Sequence, residues 1–500
     1  MSEAITHLKE LCSPIWNLYS VRSLLYWDQQ VLMPGGGSAA RANQIAALEK
    51  VCHGMLTDTH FKASLEKAEK SAFEDIDKRY LRSARRAYDL ASKLPPRLVE
   101  ERARATSLAV EAWVDAKKNN DFKHFLPHLR NVFDLTREVA EHKGYAEHPY
   151  DALIDEYEPG MTTKKIDALF GGMLPPLVQL VKSIAAAPPV ERKILQQAFP
   201  LEGQHEFSRY LLEQIGFDFN RGRLDQSAHP FCSSSTSSDV RMTDRLDEWL
   251  VTMSIFGSLH EGGHGLYEQG SPVEWNATPL AGGCSLGIHE SQSRLWENFV
   301  GRSLPFWQAH FPRMRGIFPE QLWGYSPEDM FRAVNFVEPS FVRVEADEVT
   351  YTLHIVMRYE LERDMITRAL DPADLPEAWN EKMEKTLGIR PETDTLGCLQ
   401  DIHWSDGLIG YFPTYSIGNV VAAQLWRKIR ADMPNLDEDI ARGNNQGLLN
   451  WLRHNLHRYA SSVLPEEAIF EATGGEELDY GPFVDYLWNK YSGLYEIQRP

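Results

Sequence analysis

Two histidines four residues apart, with a glutamate beside the first, form the chemically best-spaced group in this 500-residue chain: His260-Glu261-Gly262-Gly263-His264. On a helix, residues i and i+4 lie one above the other, so both imidazoles can reach one metal ion. Glu261 points toward the same region and can take a proton from water that the ion activates. This is the HExxH pattern of zinc hydrolases. Two solvated or packed histidines on an ordinary helix would carry the same five letters. The flanking periodicity favours the metal. Leu246, Trp249, Leu250, Met253, Phe256, Gly257, His260 and His264 follow a 3–4 spacing that puts the histidines on a buried stripe. Buried imidazoles need partners, and one metal satisfies both. Thr243-Asp244 predicts the helix start; Gly265 and Gly270 are candidate stops.

A catalytic zinc site needs a third protein ligand and one open position. Glu290, in His289-Glu290-Ser291-Gln292, lies 26 residues after His264, in a run from Ile288 to Phe299 that predicts a second helix. His/His/Glu is a known catalytic zinc set. A carboxylate near a helix start is also favourable to the helix dipole, and spacing alone leaves both readings open. His289 is a rival ligand and a candidate substrate contact, although three histidines would leave Glu290 unexplained. The position four after Glu290, where an acid would orient a histidine, holds Arg294. The outer carboxylate must come from elsewhere, and Asp347 is the candidate, with a solvated acidic helix face as the alternative.

The elements that must position these residues read as nearly all helix. Phe73, Ile76, Tyr80, Ala84, Ala87, Tyr88 and Ala91 keep helical spacing until Pro95-Pro96. Similar patterns run through 100–118, 164–186 and 347–370. Alternating strand-like stretches are scarce; short β pieces are expected near 219–231 or 282–288. Punctuation falls at Met33-Pro34-Gly35, Ala187-Pro188-Pro189, Gly270-Ser271-Pro272 and 371–376, none of it a long linker, and there is no internal repeat. One mainly α catalytic domain over 1–500 fits best, with an N-terminal helical subregion of about 1–190 and a zinc-site region of about 220–420.

Net charge is −19, from 52 basic and 71 acidic residues. Such a surface repels nucleic acid and anionic membranes at long range, so neither is an expected partner. Five cysteines without paired spacing read as free thiols of a reducing compartment. Cys284 and Cys398 flank site motifs and are expected to pack rather than ligate. The first 20 residues lack a basic region followed by an apolar core, and no stretch approaches the ~20 apolar residues of a membrane span. The expected location is cytoplasmic.

Several blocks, in order, resemble the thermostable carboxypeptidase (Taq carboxypeptidase-like) family of zinc metallocarboxypeptidases. They are His229-Pro230-Phe231; Asp239-Val240-Arg241-Met242-Thr243; HEGGH; His289-Glu290-Ser291-Gln292; the 342–351 run VRVEADEVTY; Gly397 to Trp404; and Gly410-Tyr411-Phe412-Pro413-Thr414-Tyr415. Trp27-Asp28 also looks like the family, so the match runs from about residue 24 to the C-terminus. The segment 232–238 is Ser-rich where the family leads one to expect glycine. The resemblance implies a large helical, two-lobed fold with a deep central cleft, at most a small sheet near the zinc, and a homodimer. It implies one Zn2+ per subunit, with Co2+ able to occupy the same ligands, and release of single C-terminal residues from peptides with broad specificity.

In that reading Glu261 is the general base. His403 and Tyr411 are the candidates to stabilise the tetrahedral intermediate, with Tyr415 behind them. Arg241 and Arg343 are candidates for the substrate carboxylate, helped by Gln400; ordinary ion pairs with Asp239 or Glu345 are the alternatives. Only the resemblance, not HEGGH, says which end of a peptide is cut. A helical zinc peptidyl-dipeptidase or oligopeptidase, or a non-catalytic peptide-binding protein, are the competing readings.

Overall fold

The computed structural model describes residues 3–71 and 74–499. It divides into two compact units, each built from three stretches of chain. The first comprises Met1–Ser92, Glu191–Val334 and Leu425–Glu477; the second comprises Lys93–Val190, Asn335–Gln424 and Leu478–Pro500. One boundary, between Val190 and Glu191, falls at the end of the sequence subregion of about 1–190, just after Ala187-Pro188-Pro189; beyond it, each unit gathers segments that are distant along the chain.

Four helices, Glu3–Val31, Ser38–Leu56, Thr59–Glu69 and Asp75–Ser92, open the first unit. Ile5, Leu8, Cys12 and Ile15 pack with Phe61, Leu65, Tyr80 and Leu81. Phe73, part of the predicted stripe, lies outside the described residues, and Ile76 is exposed. None of the five cysteines is in a disulfide; Cys284 and Cys398 are buried.

A three-stranded sheet follows in the same unit: β1 (Gly222–Gln226), β2 (Cys232–Thr236) and β3 (Asp239–Asp244), in the order β1-β3-β2. β1 runs parallel to β3 and β2 antiparallel to it. Only β1 falls where the sequence predicted a strand. β2 is the Ser-rich segment, which offers no apolar alternation to read. β3 alternates buried Val240 and Met242 with Asp239 and Arg241, too briefly to stand out. The stretch 282–288 is not a strand but leads into a helix at Leu286.

The sheet also corrects the predicted start of the HEGGH helix. Thr243 belongs to β3, where its hydroxyl accepts from the Phe231 N–H at 3.0 Å and from the Ser227 hydroxyl at 2.7 Å. The helix runs Val251–Gly270, so Gly270 is the stop. Trp249 and Leu250, counted on the buried stripe, precede the helix and are exposed.

Among its described residues the second unit has helices and connecting loops and no strand. Pro96–Asn119 and Phe122–Lys143 form a hairpin whose bend places Asn120 at φ 53°, with Asp121 capping the His124 N–H. Thr163–Ala185 and Tyr351–Ile366 match two further predicted helices. The first of these is, by length and composition, apolar enough to cross a membrane, which corrects the expectation that no stretch approaches a span. Its Ile166, Leu169, Phe170, Met173 and Leu177 are buried. It packs on Tyr351–Ile366 and on Gly481–Tyr495, as an interior helix does.

Candidate metal centre

Two helices of the first unit build the centre: Val251–Gly270 and Leu286–Arg294, the latter continued by a π-helical turn over Leu295–Val300. Ser285 starts the second helix by accepting the Ile288 N–H at 3.0 Å. The two backbones meet at Gly263. A Cβ there would lie 2.4 Å from the Gln292 carbonyl oxygen and 2.6 Å from Ser293 Cα. Gly262 instead faces the Leu201–Ile215 helix, where a Cβ would meet the side-chain ends of Leu212 and Ile215 at 2.6 and 2.9 Å. Both glycines therefore serve helix packing.

This contact yields a contrast. Alanine in a helix gains about 1 kcal/mol over glycine. At Gly262 that gain opposes an overlap with flexible chain ends, so Gly262→Ala should change stability little. At Gly263 the overlap is with backbone, and overpacking of about 1–3 kcal/mol should prevail. Gly263→Ala should lower the unfolding temperature of metal-free protein and weaken metal binding by shifting Glu290. Titration calorimetry and thermal unfolding check both; a Gly263→Ala protein as stable as Gly262→Ala contradicts the backbone contact.

His260, His264 and Glu290 offer ligand atoms that all lie within 4.8 Å of one another. Glu290 Oε2 is 3.7 Å from His260 Nε2 and 3.6 Å from His264 Nε2. Those separations exceed a hydrogen bond and suit three atoms around a shared ion. The outer nitrogens are engaged. His260 Nδ1 lies 2.9 Å from Glu297 Oε2. His264 Nδ1 lies 2.6 Å from His289 Nδ1, His289 Nε2 lies 2.7 Å from Glu268 Oε1, and Ser234 donates to Glu268 Oε2 at 2.8 Å. One tautomer set satisfies every contact: His260 donates from Nδ1 to Glu297, His264 from Nδ1 to His289, and His289 from Nε2 to Glu268. Both inner Nε2 lone pairs are then free to point at a cation. Burial, then the neighbouring His289 and His260, drive the His264 pKa well below its usual value, which keeps that ring neutral. This donor set fits a divalent zinc-type ion.

The carboxylate that engages His260 Nδ1 is Glu297, and not the expected Asp347. Burial raises its pKa, but Arg294 and His260 outweigh this and hold it at about 2. Arg294 bridges the arrangement, donating from Nε to Glu290 Oε1 at 2.7 Å and from Nη1 to Glu297 Oε2 at 3.0 Å. Asp347, in the second unit, is spent on its own turn. It accepts from the backbone N–H groups of Glu338, Val349 and Thr350 and from the Thr350 hydroxyl. The sequence carried one signal for Glu297, an acid isolated within the apolar run LWENFV two turns after Glu290. Glu268 carried a similar one, four residues after His264.

Glu261 is buried, 7% exposed. Burial pushes its pKa up to about 7, with His260 opposing and Glu290 adding to the rise. His289 has both ring nitrogens taken by His264 and Glu268, so it orients a candidate ligand rather than reaching for substrate. Arg241 clasps Asp239 with both arms, at 2.8 and 3.0 Å, and lies 4.4 Å above the Trp27 ring; this is the ion pair named as its alternative.

The second unit collects the other sequence candidates. Arg343 is buried, donates to Asp401 at 3.0 Å and to the Tyr351 hydroxyl at 3.1 Å, and lies 5.2 Å from the Tyr415 ring. Its acidic partner is thus Asp401 rather than Glu345. Gln400 has no free amide atom for substrate. Its oxygen accepts from Arg343 N and Arg358 Nη2, and its nitrogen donates to the Phe341, Leu396 and Gly397 carbonyls. The His403 ring lies 4.4 Å from the Phe412 ring, tilted by 32°, with Nε2 3.3 Å from the Tyr415 hydroxyl. Tyr411 lies edge-on to Tyr157 and Tyr415, at 5.2 and 5.3 Å.

Known proteins share this chain's full length. A model of the carboxypeptidase Taq (M32) metallopeptidase family matches residues 7–491. The thermostable carboxypeptidase 1 of Thermus thermophilus is 43% identical over 493 residues, 96% of each chain. Carboxypeptidase 1 of Bacillus subtilis is 39% identical over 477 residues, 95% of each. The crystal structure of an M32 carboxypeptidase from Deinococcus radiodurans superposes with a TM-score of 0.97 at 38% identity, covering 99% of this chain and all 100% of that one.

Proposed function

The chain belongs to the carboxypeptidase Taq (M32) family of metallopeptidases, and from that premise we propose that it is a zinc-dependent carboxypeptidase releasing single residues from peptides with a free C-terminus. The observation that carries the reading is the convergence of His260 Nε2, His264 Nε2 and Glu290 Oε2, with the buried Glu261 on the same helix as the two histidines. A zinc ion held by these three would supply Lewis acidity, making water easier to deprotonate and stabilising negative charge as it develops.

The chain's own residues supply the rest. Glu261, with its pKa raised to about 7, is matched to accept a proton on a carboxylate oxygen near neutral pH. It then returns that proton to the leaving amine. Glu297 and the His289–Glu268 pair hold the two imidazoles in the tautomers the ion requires. His403 and Tyr411 donate hydrogen bonds to the developing oxyanion, with Tyr415 hydrogen-bonded behind His403. Arg343 and Arg241 are the two guanidinium candidates for the substrate carboxylate. Broad acceptance of the released residue rests on family membership, and so does the capacity of Co2+ to replace Zn2+.

The test pairs a free peptide with its C-terminally amidated twin, each incubated with and without a chelator, and weighs the products by mass spectrometry. Stepwise loss of single residues from the free peptide only, abolished by the chelator and restored by Zn2+, is expected. Release of dipeptides, or equal cleavage of both peptides, replaces the carboxypeptidase reading with the peptidyl-dipeptidase or oligopeptidase one. Cleavage that survives complete metal removal ends the zinc reading.

A further inference from the structure

In the second unit a carboxylate lies wholly out of solvent. Glu362, on the Tyr351–Ile366 helix, is 0% exposed. Three donors converge on it. The Tyr150 hydroxyl donates to Oε1 at 2.6 Å, the Gly410 backbone N–H to the same oxygen at 2.7 Å, and Trp404 Nε1 to Oε2 at 2.7 Å. Burial pushes the Glu362 pKa up to about 7 against the pull of all three. An apolar side chain could fill this volume, but it would leave three donors without acceptors.

The donors mark the ends of one turn. Trp404 directly follows His403, and Gly410 directly precedes Tyr411. Between them the Leu408 N–H donates to the His403 carbonyl at 2.8 Å and the Gly407 N–H to the Trp404 carbonyl at 3.2 Å. Gly410 has φ +95°, and a Cβ there would lie 2.8 Å from the Leu153 carbonyl carbon. The turn is thus pressed against the short Asp151–Ile154 helix, next to which Tyr150 stands. One buried carboxylate ties both ends of the turn to a rigid helix.

We propose that Glu362 is a positioning residue for the peptidase reaction, fixing the separation and aim of His403 and Tyr411. The proposal rests on the reading above that those two side chains act on substrate. Glu362→Gln is the close isostere. An amide has one acceptor oxygen, so whichever way it is turned, either the Trp404 N–H or the Gly410 N–H faces an NH2 group. A shift of order 1 Å in the turn would follow, enough for a rate loss of up to ~100-fold. The expected result is a kcat lowered ~10- to 100-fold, with KM and bound metal unchanged.

A double-variant cycle with Tyr411→Phe separates positioning from general structural damage. If Glu362 acts through Tyr411, Glu362→Gln/Tyr411→Phe is hardly slower than Tyr411→Phe alone. Losses that multiply both in this cycle and in the same cycle with His403→Gln, or an unchanged kcat in Glu362→Gln, overturn the proposal. A wild-type rate in Tyr411→Phe overturns the reading of Tyr411 instead, and the same cycle with His403→Gln then decides on Glu362. Should Glu362→Gln fail to fold, Tyr150→Phe, which removes one donor, takes its place with the same expected pattern.

Discussion

Replacing Glu261 by Gln should cut kcat by ~10² to 10⁴ while leaving metal stoichiometry intact, the span typical of a lost general base. The side chain is buried on the metal-binding helix, one residue from His260. Burial lifts its pKa to about 7, with His260 pulling down and Glu290 pushing up. A divalent cation held by the three ligands would add a further downward pull and favour the ionised carboxylate at neutral pH. Glutamine has the same shape and cannot take the proton. It also should not disturb the ligands, because Glu261 points about 100° around the helix from His260 and is outside the three-residue donor set. Metal analysis and steady-state kinetics on one preparation make the separation. A Glu261→Gln protein that turns over normally contradicts the general-base role. One that loses its metal shows that Glu261 helps hold the ion.

The centre was largely legible because its three candidate ligands sit on two helices with regular spacing. HEGGH states its own geometry, and a single further acid in a helical run suffices. The outer residues were less legible, for reasons of phase and distance. Glu297 lies within a π-helical turn, whose extra residue per turn moves side chains off the 3.6 register. Glu268 is matched through His289, a contact between helices that no local pattern announces. Asp347 looked suitable as an acid in a family block, yet its oxygens are consumed by backbone N–H groups within a few residues, a short-range competition typical of aspartate. Glu362 does not stand out in the sequence because charged residues recur along its helix, with Arg358, Glu360, Arg363 and Asp364 beside it. Only the fold brings Tyr150 and Gly410 to it, from 212 and 48 residues away.

The sheet is hard to read in the sequence for a related reason. β2 is serine-rich and gains its strand state from pairing with β3 rather than from its own propensity. Both compact units are discontinuous, so which segments share a unit depends on contacts made on folding and is not written along the chain.

Glu290→Gln should separate the structural and metal-binding roles of one carboxylate. Glu290 Oε1 accepts from Arg294 Nε at 2.7 Å, whereas Oε2 lies 3.6 Å from His264 Nε2 and 3.7 Å from His260 Nε2. An amide turned with its oxygen toward Arg294 keeps that buried bond. It then places an NH2 group, a donor with no lone pair for a cation, where Oε2 stood. Metal-free Glu290→Gln should therefore unfold close to metal-free wild type. Glu290→Ala should be markedly less stable, since breaking a buried ion pair leaves Arg294 undercompensated, at a cost of about 3–5 kcal/mol. Metal affinity should fall in both variants by more than the ~10- to 100-fold typical of losing an outer-shell partner. Zinc at a hundredfold excess over its Kd stabilises a protein by about 2.7 kcal/mol. The melting temperature of wild type should rise accordingly on adding zinc, and those of both variants should stay where they were, with no peptide cleavage. A zinc-induced rise in Glu290→Gln equal to that of wild type would remove Glu290 from the ligand set and leave His260 and His264 seeking a different third partner.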